Sequence, residues 1–267
     1  MWCCGVGALG VGVGARFEAV LPDGSRVSGG GSPTVTLRQH VANELFASTP
    51  TAVVLAIDRI CIVSSDGATE YCTTSLTWSV VSSEPTRFEA QVSGSVTPTA
   101  SITVGYFRAK AGATLYFESA VSPTFDVVAG QTVSLTMTLT LTSSHSPSVS
   151  GGLPSVSATD SSNLLGLLYN ILRGARPANT YLTLSDVFWK TATGVVLLSR
   201  PLSRSYSPGA TSGSASHDYA NFTASGSLAK IHVECENQAD CIVYTLSSAL
   251  SVTTSDRARY SISISVG

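Results

Sequence analysis

The chain has 267 residues, 43% hydrophobic and only 12% charged, with fifteen basic side chains against seventeen acidic ones and a formal charge of −2. There is no basic stripe to neutralise phosphates, which argues against a coat that wraps nucleic acid. Nor is there a run of eighteen apolar residues, so no membrane-spanning helix is expected. The length exceeds that of a usual single domain, and two units of about a hundred residues are the natural partition. The charged share is about half the usual one, and Ser and Thr are plentiful. Such a hydroxyl-covered skin predicts contact with other copies of the same chain.

Residues 1–14, MWCCGVGALGVGVG, are apolar and glycine-rich and lack the positive start of a signal peptide. Gly5-x-Gly7-x-x-Gly10 spells a dinucleotide fingerprint. No strand pattern precedes it and no helix pattern follows, so no cofactor is expected. Residues 1–34 read instead as an extended arm, jointed at Gly29-Gly30-Gly31-Ser32-Pro33. Its apolar residues Val6, Leu9, Val11, Val13 and Phe17 are expected to dock on a neighbouring subunit.

Leu37, Val41, Leu45 and Phe46 are spaced for a short amphipathic helix over 36–48, and Pro50 stops it. Residues 52–63 read as a buried strand ending in the Ser65-Asp66-Gly67 turn. Further strands are expected at 76–81, 87–92, 102–107 and 115–120. In 125–141, FDVVAGQTVSLTMTLTL, Val133, Leu135, Met137, Leu139 and Leu141 alternate with Ser and Thr, the signature of a strand with one buried face. The Ala129-Gly130-Gln131 turn predicts that 125–128 and 133–141 are neighbouring antiparallel strands. A Ser/Pro/Gly linker follows over 144–159.

Residues 160–173 carry Leu164, Leu165, Leu168, Ile171 and Leu172 on a second helix that Asp160 or Ser161 can cap. Strands follow at 180–190, 195–199, 219–224, 228–234, 242–246, 249–253 and 258–266, while 203–216 reads as a patternless surface loop. Leu37, Val41 and Leu45 recur as Leu164, Leu168 and Leu172. Leu55, Ile57, Ile60 and Gly67 recur as Leu182, Leu184, Val187 and Gly194, all 127 residues apart. The reading is an all-β chain of two tandemly duplicated antiparallel β-sandwich domains, jelly-roll-like and each preceded by a short helix. They cover 35–143 and 160–267 around separate cores.

No G-x-S-x-G elbow, P-loop or H-E-x-x-H pair occurs, and no catalytic activity is expected. The histidines are His40, His145, His217 and His232. His232 and Glu234 share a strand face, an arrangement commoner as a cross-strand pair than as a metal site, so no metal is expected. Cys61 and Cys72 flank the Asp66-Gly67 hairpin, and Cys235 and Cys241 flank a polar hairpin tip, both within reach of a disulfide. Oxidised cysteines would imply an extracellular life or a hyperthermophilic host.

The leading helix, the many strands and the closing VVAGQTVSLTMTLTL of 127–141 resemble β-rich virion proteins of tailed bacteriophages and archaeal viruses, the tail, fibre and shell components. The echo at 250–266 departs from that pattern, with Ser255-Asp256-Arg257 in place of Ala-Gly-Gln. The resemblance implies a non-catalytic, self-assembling structural protein of a virion (capsid, decoration or tail component), whose partners are identical subunits and other virion proteins. An extracellular filament or pilus-like subunit joined by strand donation is the alternative. A carbohydrate- or receptor-binding sandwich module is a second.

Overall fold

In the computed structural model, which describes residues 6–73, 75–147 and 153–267, strands make up 61% of the described residues and helix 9%. The all-β expectation therefore holds. The first half contains β1 (Val6–Val20), β2 (Arg26–Pro33), α1 (Val35–Phe46), β3 (Arg59–Ser64), β4 (Glu70–Cys72), β5 (Thr77–Glu84), β6 (Arg87–Val96), β7 (Ile102–Ala111), β8 (Thr114–Val127) and β9 (Val133–Pro147). The second contains β10 (Val156–Asp160), α2 (Ser162–Leu172), β11 (Leu184–Thr191), β12 (Val196–Pro201), β13 (Ser203–Tyr206), β14 (Ser212–Asn221), β15 (Gly226–Cys235), β16 (Gln238–Val252) and β17 (Arg257–Val266).

One long sheet runs β13-β14-β17-β1-β9-β6-β5, with β1 at its centre. There Val6–Val11 lie parallel to β17, and the strand is antiparallel to β9 from Gly7 to Val20. The second part of β1 also pairs with β2, which turns the sheet into the run β2-β8-β7-β3-β4. A separate sheet has the order β10-β16-β15-β11-β12. These two five-strand runs share one order of connection. Their central ladders also skip at matching places, Val104↔Phe125 then Tyr106↔Ala120 in one and Leu228↔Leu250 then Lys230↔Thr245 in the other.

The arm expected over 1–34 is not free. Leu9, Val11, Val13 and Phe17 are buried in the chain's own core, and Phe17 stacks on Phe107 with ring centroids 5.8 Å apart. Val6 pairs through its backbone with Ser261, and residues 1–5 lie outside the described residues. The reason is in the sequence: Leu9, Val11 and Val13 alternate with Gly10, Gly12 and Gly14, a period-two pattern with one apolar face. On the other face the Ser144 and Thr142 hydroxyls occupy the space where Cβ atoms of Gly10 and Gly12 would sit. Gly7 and Gly10 lie in a strand, not in a phosphate-binding turn.

The expected pair of domains with separate cores is replaced by one contiguous core drawn from both halves. Helix α1 packs against β13, β14 and β17 of the second half, and α2 against β5, β6 and β9 of the first. Each helix covers the other half's part of the long sheet, because its apolar stripe is buried there. Phe46 lies over Gly213 so closely that a Cβ would collide with its ring.

Three local expectations are also corrected. Residues 125–128 and 133–141 do not pair. Strand β8 belongs with β7 and β2, β9 belongs with β6 and β1, and the turn at Val128–Gln131 carries the chain across the sandwich. The long apolar segment 52–63 is a strand only from Arg59, since Val54 and Ile57 fill the core from an irregular segment. The "loop" 203–216 contains the β13–β14 hairpin, whose Ser/Gly composition hides its alternation. The linker expected at 144–159 is shortened by strand at both ends, with 148–152 outside the described residues.

Candidate functional site

Both expected disulfides form. Cys61–Cys72 ties β3 to β4 directly across the ladder, and Cys235–Cys241 closes the turn between β15 and β16. Within that closed turn Asn237 and Asp240 adopt left-handed backbone, with φ of 59° and 54°, a conformation that Asn and Asp tolerate better than most residues.

The Asp240 carboxylate thereby faces β15 and β11. It accepts from His232 Nδ1 and from Lys190 Nζ at 3.3 Å, and the Lys190 Nζ also lies 3.3 Å from His232 Nδ1. Burial pushes the neighbouring Glu234 carboxyl upward, opposed by Lys190. The ammonium sits where a cation bound by His232 would have to sit. His232 Nε2 is buried without a hydrogen-bond partner, so this ring has no nitrogen turned to a substrate. The arrangement is an ion cluster that holds β11, β15 and β16 in register.

The first half carries a comparable cluster on its own five-strand run. Arg108 donates to Glu118 at 2.7 Å and to Glu70 at 3.4 Å, and Lys110 donates to Glu70 at 2.7 Å. The Cys61, Cys72 and Glu70 side chains converge, but both sulfurs are consumed by the disulfide.

Sequence reasoning missed a buried ion pair between the two halves. Glu44 on α1 is fully buried, and both its carboxylate oxygens accept from Arg176, which follows α2. The same carboxylate accepts from Val54 N at 3.1 Å and Leu182 N at 3.4 Å, while its backbone carbonyl accepts from Thr183 Oγ1 at 2.7 Å. The signal was present, since Glu44 lies on the stripe of Leu37, Val41 and Leu45 and faces the core.

The remaining histidines also touch structural partners. His40 Nδ1 accepts from the Tyr116 hydroxyl at 3.1 Å. His145 stands edge-on to Tyr244 at 5.7 Å, and His217 stands edge-on to Trp189 at 4.9 Å. Burial lowers the His145 pKa to about 4 and also lowers that of His217.

A shallow cavity of about 400 Å³ opens on the outer face of the long sheet, lined by Arg16, Glu18, Arg26, Gln91, Thr136 and Thr138. Its lining is polar, and Arg26 is held by Glu18 at 2.7 Å. Around it the face is made of small hydroxyls and glycines: Ser261, Ser263 and Ser265 on β17, Gly10, Gly12 and Gly14 on β1, and Thr138, Thr140 and Thr142 on β9.

The sheet edges differ in how they are protected. Strand β4 has three residues and is pinned by a disulfide, and β13 has four, with the Arg204 side chain donating to the Ala47, Ser48 and Leu184 carbonyls. Strands β5 and β12 instead carry adjacent exposed valines, Val80 and Val81 in the middle of β5, and Val195 and Val196 where the β11–β12 turn enters β12. No family model matches the chain, and no curated protein or solved structure matches it either.

Proposed function

We propose that this protein is a non-catalytic structural subunit, built from a duplicated β unit, that self-assembles with identical copies into part of a virion. The observation that carries the reading is the broad outer face of the long sheet, where serine, threonine and glycine predominate and part of the charge is neutralised in the Arg26–Glu18 and Arg87–Glu89 pairs. Contact over the serine, threonine and glycine positions of β17, β1 and β9 desolvates hydroxyls in place of ionised groups. The virion assignment rests on the resemblance of 127–141 to tail, fibre and shell proteins. The two disulfides favour an oxidising setting or a hyperthermophilic host, which keeps an extracellular filament as the second reading. Strand donation by residues 6–20 is not part of that reading, because β1 already fills a slot in its own sheet.

Sedimentation velocity and negative-stain electron microscopy of the full chain test the proposal. The expected result is a concentration-dependent assembly with a regular repeat. A monomer that persists across salt concentrations up to the millimolar protein range would overturn it.

A further inference from the structure

We infer that the two exposed valine pairs are the two complementary halves of one head-to-tail contact, in which the β5 edge of one copy seats against the β12 edge of the next. The inference rests on the self-assembly reading and specifies its interface.

Seven large hydrophobic side chains are exposed among the described residues, and four of them are Val80, Val81, Val195 and Val196, with exposures of 53%, 55%, 58% and 40%. They form two adjacent pairs, one in each half. Among the described residues β5 pairs with β6 alone and β12 with β11 alone, so the pairs border different sheets. Isolated exposed valines are ordinary, but adjacent exposed pairs at the borders of sheets mark contact surfaces.

Charge identifies the occupant. Beyond Val81 on β5 comes Glu84, and beyond Val196 on β12 comes Arg200, roughly 10 Å and 13 Å along their strands at the usual rise. Both side chains are exposed, and neither makes a side-chain hydrogen bond or ion pair among the described residues. Arg87, which lies across the ladder from Glu84, is taken by Glu89 instead. Each apolar pair is thus followed at a similar distance by an unpaired charge of opposite sign. Laid side by side in the same direction, the valines of one copy meet those of the next while Glu84 meets Arg200. A second copy of this chain supplies both requirements.

The contact is made by side chains and not by strand addition. The Leu197 carbonyl on the outer side of β12 already accepts from Thr223 N at 2.9 Å, and β5 is bulged between Val80 and Ser82. Since the two surfaces differ, the interface is heterologous, and it generates a ring if the rotation closes and a filament if it does not.

The test is a charge exchange read by sedimentation velocity on the full chain, with circular dichroism to check that each variant keeps its fold. Glu84→Arg alone and Arg200→Glu alone should each weaken association about tenfold or more, because like charges then face each other across the contact. The double variant restores the pair in reverse and should recover the wild-type association. Val81→Lys should abolish association regardless of charge at the other two sites. If the wild type assembles and the single variants assemble equally well, or if the double variant stays as weak as the singles, this interface is wrong while self-assembly stands. If the wild type never assembles, both proposals fall.

Discussion

A carboxylate with no exposure is costly unless every lone pair finds a donor, and Glu44 is held by two guanidinium nitrogens and two backbone amides. Removing Arg176 strands that charge in the core. Arg176→Ala is expected to destabilise the protein by about 3–5 kcal/mol in urea titrations, and Glu44→Gln in the same background should recover part of the loss. His145 and His217 face the opposite problem, since their rings are neutral in the fold. His145 has both ring nitrogens buried without partners and meets the Tyr244 ring, whose hydroxyl burial pushes up to about 12. His217 Nδ1 donates to the Asp218 carbonyl, and burial lowers its pKa, assisted by Arg200 and opposed by Asp218. With the folded values below the ordinary 6.5, the unfolded chain binds more protons as the pH drops from about 6.5 towards 4. Stability is therefore complete above pH 6.5, falls through that window and levels off below it. Urea midpoints measured from pH 7.5 to 4 should show this slope, and His145→Phe, which keeps the ring contact, should flatten it.

At the level of elements, helix placement depends on a single missing side chain. Phe46 rests on Gly213 of β14, so Gly213→Ala requires α1 to lift from the second half's sheet. The expected cost is about 1–3 kcal/mol, the usual penalty of overpacking, measurable by chemical denaturation. Hydrogen exchange should show the loss concentrated in α1 and β13. Individual strands were readable wherever side chains alternate, as at Val133–Leu141 and Ala258–Val266, and both disulfides followed from hairpin spacing. Partners across the sheets were not readable. Alternation at residues 9–14 specifies a strand with one apolar face but not whose face it meets, and an apolar strand suits a neighbour's slot and its own equally well. The ion cluster on β15 was half visible, because His232 and Glu234 share a face by parity, whereas Lys190 and Asp240 arrive through tertiary pairing.

Taken whole, the described residues on either side of the boundary expected at 144–159 share one core. The helices cross into opposite halves and the long sheet runs through both, so calorimetry should show one transition whose van't Hoff and calorimetric enthalpies agree. Two separable transitions would contradict the shared core. Deleting residues 1–14 should not release intact domains. It would empty the slot between β9 and β17 and remove Leu9, Val11 and Val13, each worth about 1.5–3 kcal/mol when buried. The expected outcome is an aggregated product with lost near-ultraviolet circular dichroism.

That central slot also imposes a schedule. Strand β1 is synthesised before the other strands described, yet one of its two neighbours at Val6–Val11 is β17, so Val6 must wait for Ser261, 255 residues later. Strand β9 reaches it sooner, and during the interval one flank of β1 stays unzipped. Closure over so long a loop is entropically slow and gives the chain a high contact order. The nascent protein therefore passes through a stage with an open strand flank beside an apolar face, the moment at which chains made on neighbouring ribosomes can capture each other and at which a holdase has most to protect.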